Sequence, residues 1–199
     1  HPPGIPLLFY GARRLFERWP SLGEQVGRRL LRVDCLHPEM IGFSSAQVAS
    51  AVLQFALPFF GGLGVLPLFA LGKTFFGRRT ALLAVGLYPL IPALPLFAPA
   101  FDQLYVPFAL GGLWLTWQAI TRGRVGFACA FAAGLLLSLG SFLSFGNIAF
   151  LGLNVLLVGG WLVTRRRRRP TDWARAIVIG LLLIAGLSTI WLIYWGGWG

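Results

Sequence analysis

Six runs of apolar residues, each about long enough to cross a lipid bilayer, constrain the fold of this chain more than any other feature. A membrane-spanning helix needs roughly 20 mostly apolar residues at a rise of about 1.5 Å each. The runs lack the period-two alternation of strands, and an open sheet edge cannot face lipid. The sequence therefore predicts an all-α integral membrane protein with about six transmembrane helices, near residues 46–72, 80–98, 103–120, 125–143, 146–164 and 174–195.

Composition and charge exclude several other classes of protein. Hydrophobic residues make up 57% of the chain and charged residues only 12%, whereas an average soluble domain carries about 25% charged residues. The net charge of +11 comes from arginines in short clusters between apolar runs, so we expect lipid headgroups as partners and no nucleic acid. The two cysteines indicate neither a disulfide framework nor a metal site, and no soluble-enzyme motif is present.

Positive charges are concentrated in alternate connections between the apolar runs. GKTFFGRR (72–79), TRGR (121–124) and TRRRRRPTDWAR (164–175) carry 3, 2 and 6 Lys or Arg, whereas APAFDQ (98–103) and SFG (144–146) carry none. Because cytoplasmic connections are enriched in Lys and Arg, the first three are predicted to be cytoplasmic and the other two to face outward.

The N-terminal region, residues 1–43, is predicted to face outward although it holds six arginines. Long loops translocate largely regardless of charge, and an amphipathic helix can lie in the membrane interface. We therefore predict an outer-face loop with two juxtamembrane helices over 1–43, followed by a transmembrane bundle over 44–199 that begins with Ser44 or Ser45 as helix cap. In the first juxtamembrane helix, one face is predicted to be apolar and another charged, with Leu8, Leu15, Phe16 and Trp19 on the former and Arg13, Arg14, Glu17 and Arg18 on the latter.

Prolines and small residues predict where the spanning helices bend and pack. Pro58 and Pro67 flank GGLG in the first run, so we expect a kink there. The second run contains Pro89, Pro92 and Pro95, and its end is predicted to be broken or re-entrant. GGLG and the segment AAGLLLSLG in the fourth run are predicted to be sites of close helix packing.

Few polar residues lie within or beside the spans. One interpretation of Asp102 is that it caps the third helix at the outer interface, with Gln103 and Tyr105 at the rim. The other is that it lines a functional site, because an acid beside a spanning segment is energetically costly unless it lies at the interface, is paired or faces a polar cavity. Asn147 and Asn154 share a face of the fifth helix and are predicted to form interhelical hydrogen bonds with neighbouring polar side chains.

The start of the chain resembles a known family. His1-Pro2-Pro3-Gly4 is similar to the outer-face H/K-P-P-(G/L) motif of polytopic GT-C glycosyltransferases, which include protein O-mannosyltransferases and the lipid A aminoarabinose transferase. The order continues as IPLLFYGARRLF, then LPLFALGKTFFGRRTALLAVGLYPLIPAL at a cytoplasmic turn, and then PLFAPAFDQLY. The resemblance covers roughly residues 1–145, although the linker over 19–43 is longer than the compact loops typical of the family.

The resemblance implies a fragment of a glycosyltransferase that moves a hexosyl or pentosyl group from a polyprenyl-phosphate carrier to an unidentified acceptor. It implies a bacterial inner (plasma) membrane location with residues 1–43 outside. The catalytic carboxylate of the family precedes the Pro-Pro motif and would lie upstream of His1, so no catalytic residue is assigned. No cofactor is indicated with certainty, and a divalent cation stays open. The residues predicted to bind substrate are His1, Pro2, Pro3, Arg13, Arg14, Arg32, Asp102 and Gln103.

Other interpretations of the sequence stay open. HPPG can be a rigid turn before an interfacial helix, without contact with substrate. The whole chain can instead belong to a transporter or flippase, since broken helices and intramembrane polar groups are common there. A membrane scaffold without enzymatic activity is the third alternative.

Overall fold

The computed structural model describes residues 2–33, 44–92, 101–164 and 170–197. Within these ranges the chain is helical and contains no strand. The α-helices, numbered in chain order, are α1 Gly4–Arg18, α2 Pro20–Val33, α3 Ser45–Gly62, α4 Val65–Phe76, α5 Arg78–Leu87, α6 Tyr105–Thr121, α7 Val125–Leu143, α8 Ile148–Thr164 and α9 Pro170–Gly196. Short 3-10 turns follow α5 at Tyr88–Leu90, precede α6 at Phe101–Leu104 and precede α8 at Phe145–Asn147.

Four helical segments of the described ranges are long and apolar enough to cross a membrane. They are Ser45–Phe76, which combines α3 and α4, and Val125–Leu143, Phe145–Thr164 and Thr171–Gly196. Large apolar side chains cover their outer surfaces, with Phe59 79% and Val155 71% exposed. Such a surface is unfavourable in water and favourable in lipid. The prediction of an all-helical protein with membrane-spanning helices is thereby confirmed at the level of class.

The later helices lie close to their predicted positions. Helix α7 has the predicted bounds, 125–143, and α8 and α9 agree with the predicted runs to within a few residues at most ends. Helix α6 has 17 residues, which gives a length of about 26 Å and places it at the lower limit for a spanning helix.

The first apolar run is interrupted where the sequence predicted a kink. Helix α3 contains Pro58 and ends at Gly62, and the chain turns at Leu63 and Gly64 before α4 begins. The carbonyl of Gly61 accepts hydrogen bonds from the Gly64 N–H at 3.0 Å and from the Tyr88 hydroxyl at 2.9 Å. The break therefore leaves this carbonyl satisfied within the protein, as a lipid environment requires.

The second apolar run folds differently from a continuous helix over 80–98. Helix α5 ends at Leu87 and a 3-10 turn follows at Tyr88–Leu90, while residues 93–100 lie outside the described ranges. The helix ends because Pro89 has no N–H to bond the Val85 carbonyl. This break lies in the middle of the run, whereas most of the end of the run, which was predicted to be broken or re-entrant, lies outside the described residues.

Helices α4 and α5 form a tight antiparallel hairpin. The connection is Gly77, whose φ of +85° is strained for residues with a side chain. Along the hairpin, a Cβ added to Gly72 would lie 3.1 Å from the Cα and Cβ of Ala81. The GKTFFGRR segment is thus a close helix turn.

Helix α7 forms the centre of the bundle, between α6 and α9. The backbones of Gly134 in α7 and Gly186 in α9 are in direct contact. A Cβ added to either glycine would lie 3.0 Å from the Cα of the other. On the α6 side, a Cβ added to Gly112 would lie 3.0 Å from the Leu137 side chain. The close packing predicted for AAGLLLSLG is confirmed, because it contains Gly134.

The bundle has two distinct ends. At one, which we call the Arg175 end, Arg175 contacts carbonyls of the α6–α7 turn, and Phe75 near the α4–α5 hairpin packs on Trp117 with ring centres 4.7 Å apart. At the other, the α1 end, α1 packs on the start of α3 and the end of α7. The connections predicted to be cytoplasmic therefore lie at the Arg175 end, as far as the described residues include them.

Candidate functional site

Helix α1 lies across the α1 end of the bundle. At its start, Gly4 fits against the end of α7 so closely that an added Cβ would lie 2.5 Å from the Phe142 carbonyl oxygen. One turn and a half later, the Phe9 ring meets Phe101 edge to face, with centres 5.5 Å apart. Phe101 opens the 3-10 turn that contains Asp102 and Gln103. The Pro2-Pro3 motif and this turn thus belong to the same end of the molecule.

The second half of α1 is held by Phe16. This ring is buried against Val48 and Ala49 in the first turn of α3. Ser44 caps α3 through a reciprocal capping box with Gln47, so the Ser44 alternative of the predicted cap is confirmed. The capped start of α3 gives α1 a rigid platform.

The bundle covers only part of the apolar face predicted for α1. Leu8 is half-buried and Phe16 is buried, but Leu15 is 44% and Trp19 54% exposed. Leu15 is turned about 100° from Phe16 around the helix axis. Trp19 lies beyond the last helical residue, Arg18, with φ −128° and ψ 73°. Exposed aromatic and aliphatic side chains therefore stand beside the arginines.

Arg13 and Arg14 lie on the exposed surface of α1. The Arg13 guanidinium pairs with Glu17 at 2.7 Å, and that of Arg14 lies 3.8 Å from the same carboxylate. Arg14 also donates to the Tyr10 hydroxyl at 2.9 Å and lies over the Tyr10 ring. The Tyr10 contact, followed by Glu17, raises the pKa of Arg14 above its ordinary value, so this side chain is cationic at any physiological pH.

The other predicted substrate residues are placed less completely. His1 lies outside the described residues, and so do the side chains of Arg32, in the last turn of α2, and Asp102. The structure places Gln103 inward: it is only 5% exposed, and a Cβ on Gly61 would lie 3.2 Å from its Cβ. Gln103 therefore packs on the α3–α4 break and does not lie at the rim.

The arrangement brings some predicted residues together and leaves others apart. Arg13 follows Phe9 by one helical turn, about 6 Å along the axis, so it lies near the Phe9–Phe101 contact. Arg14 is turned away from that face, toward Tyr10. Chemically, exposed guanidinium groups beside aromatic side chains can bind phosphate oxygens at a membrane interface.

A second set of polar side chains lies inside the bundle. Asn154 of α8 accepts a hydrogen bond from the Thr116 hydroxyl of α6 at 2.5 Å and donates to the Phe150 carbonyl at 2.7 Å. The predicted interhelical bond of Asn154 is thus confirmed. Asn147, in contrast, is 1% exposed and its amide atoms have no hydrogen-bond partner.

Two partners in this set were missed from the sequence. Thr116 was not singled out, and Trp191 of α9 donates its ring N–H to the Ser141 hydroxyl of α7 at 3.1 Å. The signal that could have found them is a hydroxyl or indole N–H in an otherwise apolar span, which needs a partner when buried.

Arg175 has a structural task at the opposite end. Its guanidinium donates to the carbonyls of Ala119 at 3.1 Å and Gly123 at 3.3 Å, and also to that of Arg122. These carbonyls lie at the end of α6, where the helix leaves acceptors unsatisfied and its dipole is negative. Arg175 thereby joins α9 to the α6–α7 turn.

Within the described residues, no group of three or more His, Cys, Asp or Glu side chains could hold a metal ion. Comparison with protein families, curated proteins and solved structures finds no match for this chain. The functional interpretation therefore depends on the residues of the chain and on the resemblance of its first segment.

Proposed function

We propose that this chain is part of a GT-C glycosyltransferase of the bacterial inner membrane. It would transfer a sugar from a polyprenyl-phosphate carrier to an acceptor on the outer face. The observation that carries the proposal is the Phe9–Phe101 contact, which joins the helix that follows Pro2-Pro3 to the turn that contains Asp102 and Gln103. Two segments that the family resemblance assigns to one outer-face site are thus neighbours in this fold.

The proposal includes a topology of six spans. The spans would be α3 with α4, the apolar run predicted over 80–98, α6, α7, α8 and α9, with α1 and α2 outside. The positions of the cations support it, since Lys73, Arg78, Arg122 and Arg124 lie at or near the turns of the Arg175 end, where the positive-inside tendency would hold them in the cytoplasm. The α7–α8 connection at the α1 end carries no charge.

The arginines of α1 would bind the phosphate of the donor. A polyprenyl phosphate keeps its chain in the bilayer and its phosphate at the interface, which is where an interfacial α1 would place Arg13 and Arg14. Guanidinium groups bind phosphate oxygens through paired, charge-assisted hydrogen bonds. The Glu17 carboxylate forms ion pairs with both arginines. The donor phosphate would therefore compete with this carboxylate for the two guanidinium groups. The carboxylate that acts as base in the family would come from outside this chain.

One feature favours the alternative of a transporter or flippase. The α3–α4 segment is broken at Leu63–Gly64, and broken spanning helices commonly form the substrate sites of transporters. In this chain the break is filled by Tyr88 and Gln103, which leaves the surface of α1 as the better candidate.

Sugar transfer is the test of the proposal. The protein, expressed together with whatever sequence precedes His1 in its gene, is assayed in membranes supplied with radiolabelled polyprenyl-phosphate sugars. Replacing both Arg13 and Arg14 by Gln should lower transfer at least about tenfold, since charge-assisted bonds to phosphate are lost. The matched control replaces Arg122 and Arg124, at the opposite end, by Gln and should transfer normally.

Two outcomes would overturn the proposal. One is the absence of transfer from every donor when the protein is folded and inserted, which would favour the transporter. The other is equal activity of the two double variants, which would remove α1 from the donor site.

A further inference from the structure

An apolar groove runs between α8 and α9 at the surface of the bundle, with α7 as its floor. Its first part, which we call the first cavity, has a volume of about 470 Å³ and extends from Leu162 and Trp173 at the Arg175 end to Leu151 and Leu187 near the middle. A second cavity of about 470 Å³ continues past Leu151 and Leu187 to Trp195. The groove exists because α8 packs mainly on α6 and stands apart from α9.

Apart from the indole N–H groups of Trp173 and Trp195 near its two ends, the polar side-chain atoms that border the groove are hydrogen-bonded within the protein. The Asn154 amide is bonded to Thr116 and to the Phe150 carbonyl. The Ser188 hydroxyl donates to the Ile184 carbonyl at 2.9 Å, and that of Ser141 donates to the Ser138 carbonyl at 2.9 Å. Between these two ends a polar ligand would find no partner, so the occupant there must be hydrocarbon.

The length of the first cavity fits one extended hydrocarbon chain. From Trp173 to Leu187 it follows 14 residues of α9, or about 21 Å, which reaches from one interface past the middle of a hydrocarbon core about 30 Å thick. Trp173 at the mouth is a residue type enriched at headgroup level.

Two glycines keep the groove open. Gly159 of α8 and Gly180 of α9 both line the first cavity, and a Cβ added to either would meet nothing within 4 Å. Neither glycine is required by close packing or by backbone conformation. A larger side chain at either position would instead project into the space of the groove.

We propose that the α8–α9 groove binds one acyl chain of a bilayer phospholipid, inserted from the leaflet on the Arg175 side, as a lasting part of the structure. The site is separate from the surface of α1 and does not depend on the proposed function. The acyl chain would cover the apolar surfaces of α8 and α9 that do not contact each other. It would thereby hold α8 against the bundle.

Native mass spectrometry of the full chain, stripped of lipid in detergent and titrated with dioleoylphosphatidylglycerol, tests this. We expect one tightly bound phospholipid. Gly159→Leu and Gly180→Leu, one on each wall, should weaken its binding at least about tenfold, since displacing even two methylene groups has that effect. The matched control is Gly160→Leu, which makes the same change beside Gly159 at a position with open space and outside the groove lining.

Several results would overturn the proposal. One is equal phospholipid binding by all three variants, and another is tighter binding of a 55-carbon isoprenyl phosphate at the same site. A third is conversion of a dimer to a monomer by Gly159→Leu, which would show that the occupant is a second copy of the chain. Should the variants fail to fold, tryptophan fluorescence of the unmodified protein provides the test. A phospholipid with bromine on its acyl chain should quench part of this fluorescence, and that part should be missing in Trp173→Phe. Quenching that is unchanged by Trp173→Phe would contradict an acyl chain in the groove.

Discussion

The contact between α7 and α9 allows a quantitative prediction for Gly186→Ala. A Cβ at Gly186 would overlap the Phe131 carbonyl oxygen and lie 2.9 Å from the Leu135 nitrogen. To reach an ordinary contact of about 3.5 Å the two helices must separate by about 1 Å, which forfeits a quarter to a half of the dispersion energy at the crossing. Overpacking of this kind costs about 1–3 kcal/mol.

The matched control is Gly180→Ala in the same helix. A Cβ there meets nothing within 4 Å, so the change should leave stability unaltered or raise it by up to about 1 kcal/mol through helix propensity. The free energies of unfolding of the two variants should therefore differ by about 1–4 kcal/mol. The assay is reversible unfolding in mixed micelles of a mild detergent and dodecyl sulfate, followed by Trp191, whose ring N–H bonds Ser141 across the same interface. Equal stability of Gly186→Ala and Gly180→Ala would refute the backbone contact.

Three further substitutions probe single hydrogen bonds by the same unfolding assay. Tyr88→Phe removes the hydroxyl that bonds the Gly61 carbonyl and should cost about 0.5–1.5 kcal/mol. Ser44→Ala breaks the capping box with Gln47 and should cost about 1 kcal/mol, with faster amide exchange in the first turn of α3. Arg175→Met leaves the carbonyls at the end of α6 without their cation and should cost about 1.5–3 kcal/mol.

Each of these substitutions has a matched control that removes the same kind of group at another position. Tyr10→Phe removes a hydroxyl on the exposed face of α1, Ser45→Ala removes the serine next to the cap, and Arg124→Met removes a cation from the α6–α7 turn. The controls should each change the free energy of unfolding by less than about 0.5 kcal/mol. A control as destabilising as its partner would show that the hydrogen bond assigned to the partner is not the cause.

Some elements of the fold were predictable because their signals are local. Helix α7 could be bounded from the sequence since its apolar run ends in charged or polar turns on both sides. The kink near GGLG followed from Pro58 and Pro67, and the cap at Ser44 from its place before the apolar run. These signals need no knowledge of neighbouring helices.

Other features depend on tertiary contacts that one sequence does not display. Pro89 ends α5, but the hydrogen bond of Tyr88 to Gly61 joins residues 27 apart in the chain, and the sequence does not show this pairing. The burial of Gln103 follows from the same α3–α4 break. In the candidate site, the exposed positions of Arg13 and Arg14 were predictable from helical periodicity. The contact of Phe9 with Phe101 was not, because it depends on how α1 crosses the bundle.

The most direct test of the central claim, that the α1 end and the Arg175 end lie on opposite sides of a membrane with α1 and α2 outside, is cysteine labelling in intact cells. In a variant with Cys35→Ser and Cys129→Ala, single cysteines are placed at Ser21 in α2 and at Thr171 in α9, both exposed in the structure. We expect a membrane-impermeant thiol reagent to label the cysteine at position 21 in intact cells and the one at 171 only after the membrane is opened. Labelling of 171 with protection of 21 would contradict the orientation, and labelling of both in intact cells would contradict the placement of the two ends across a membrane.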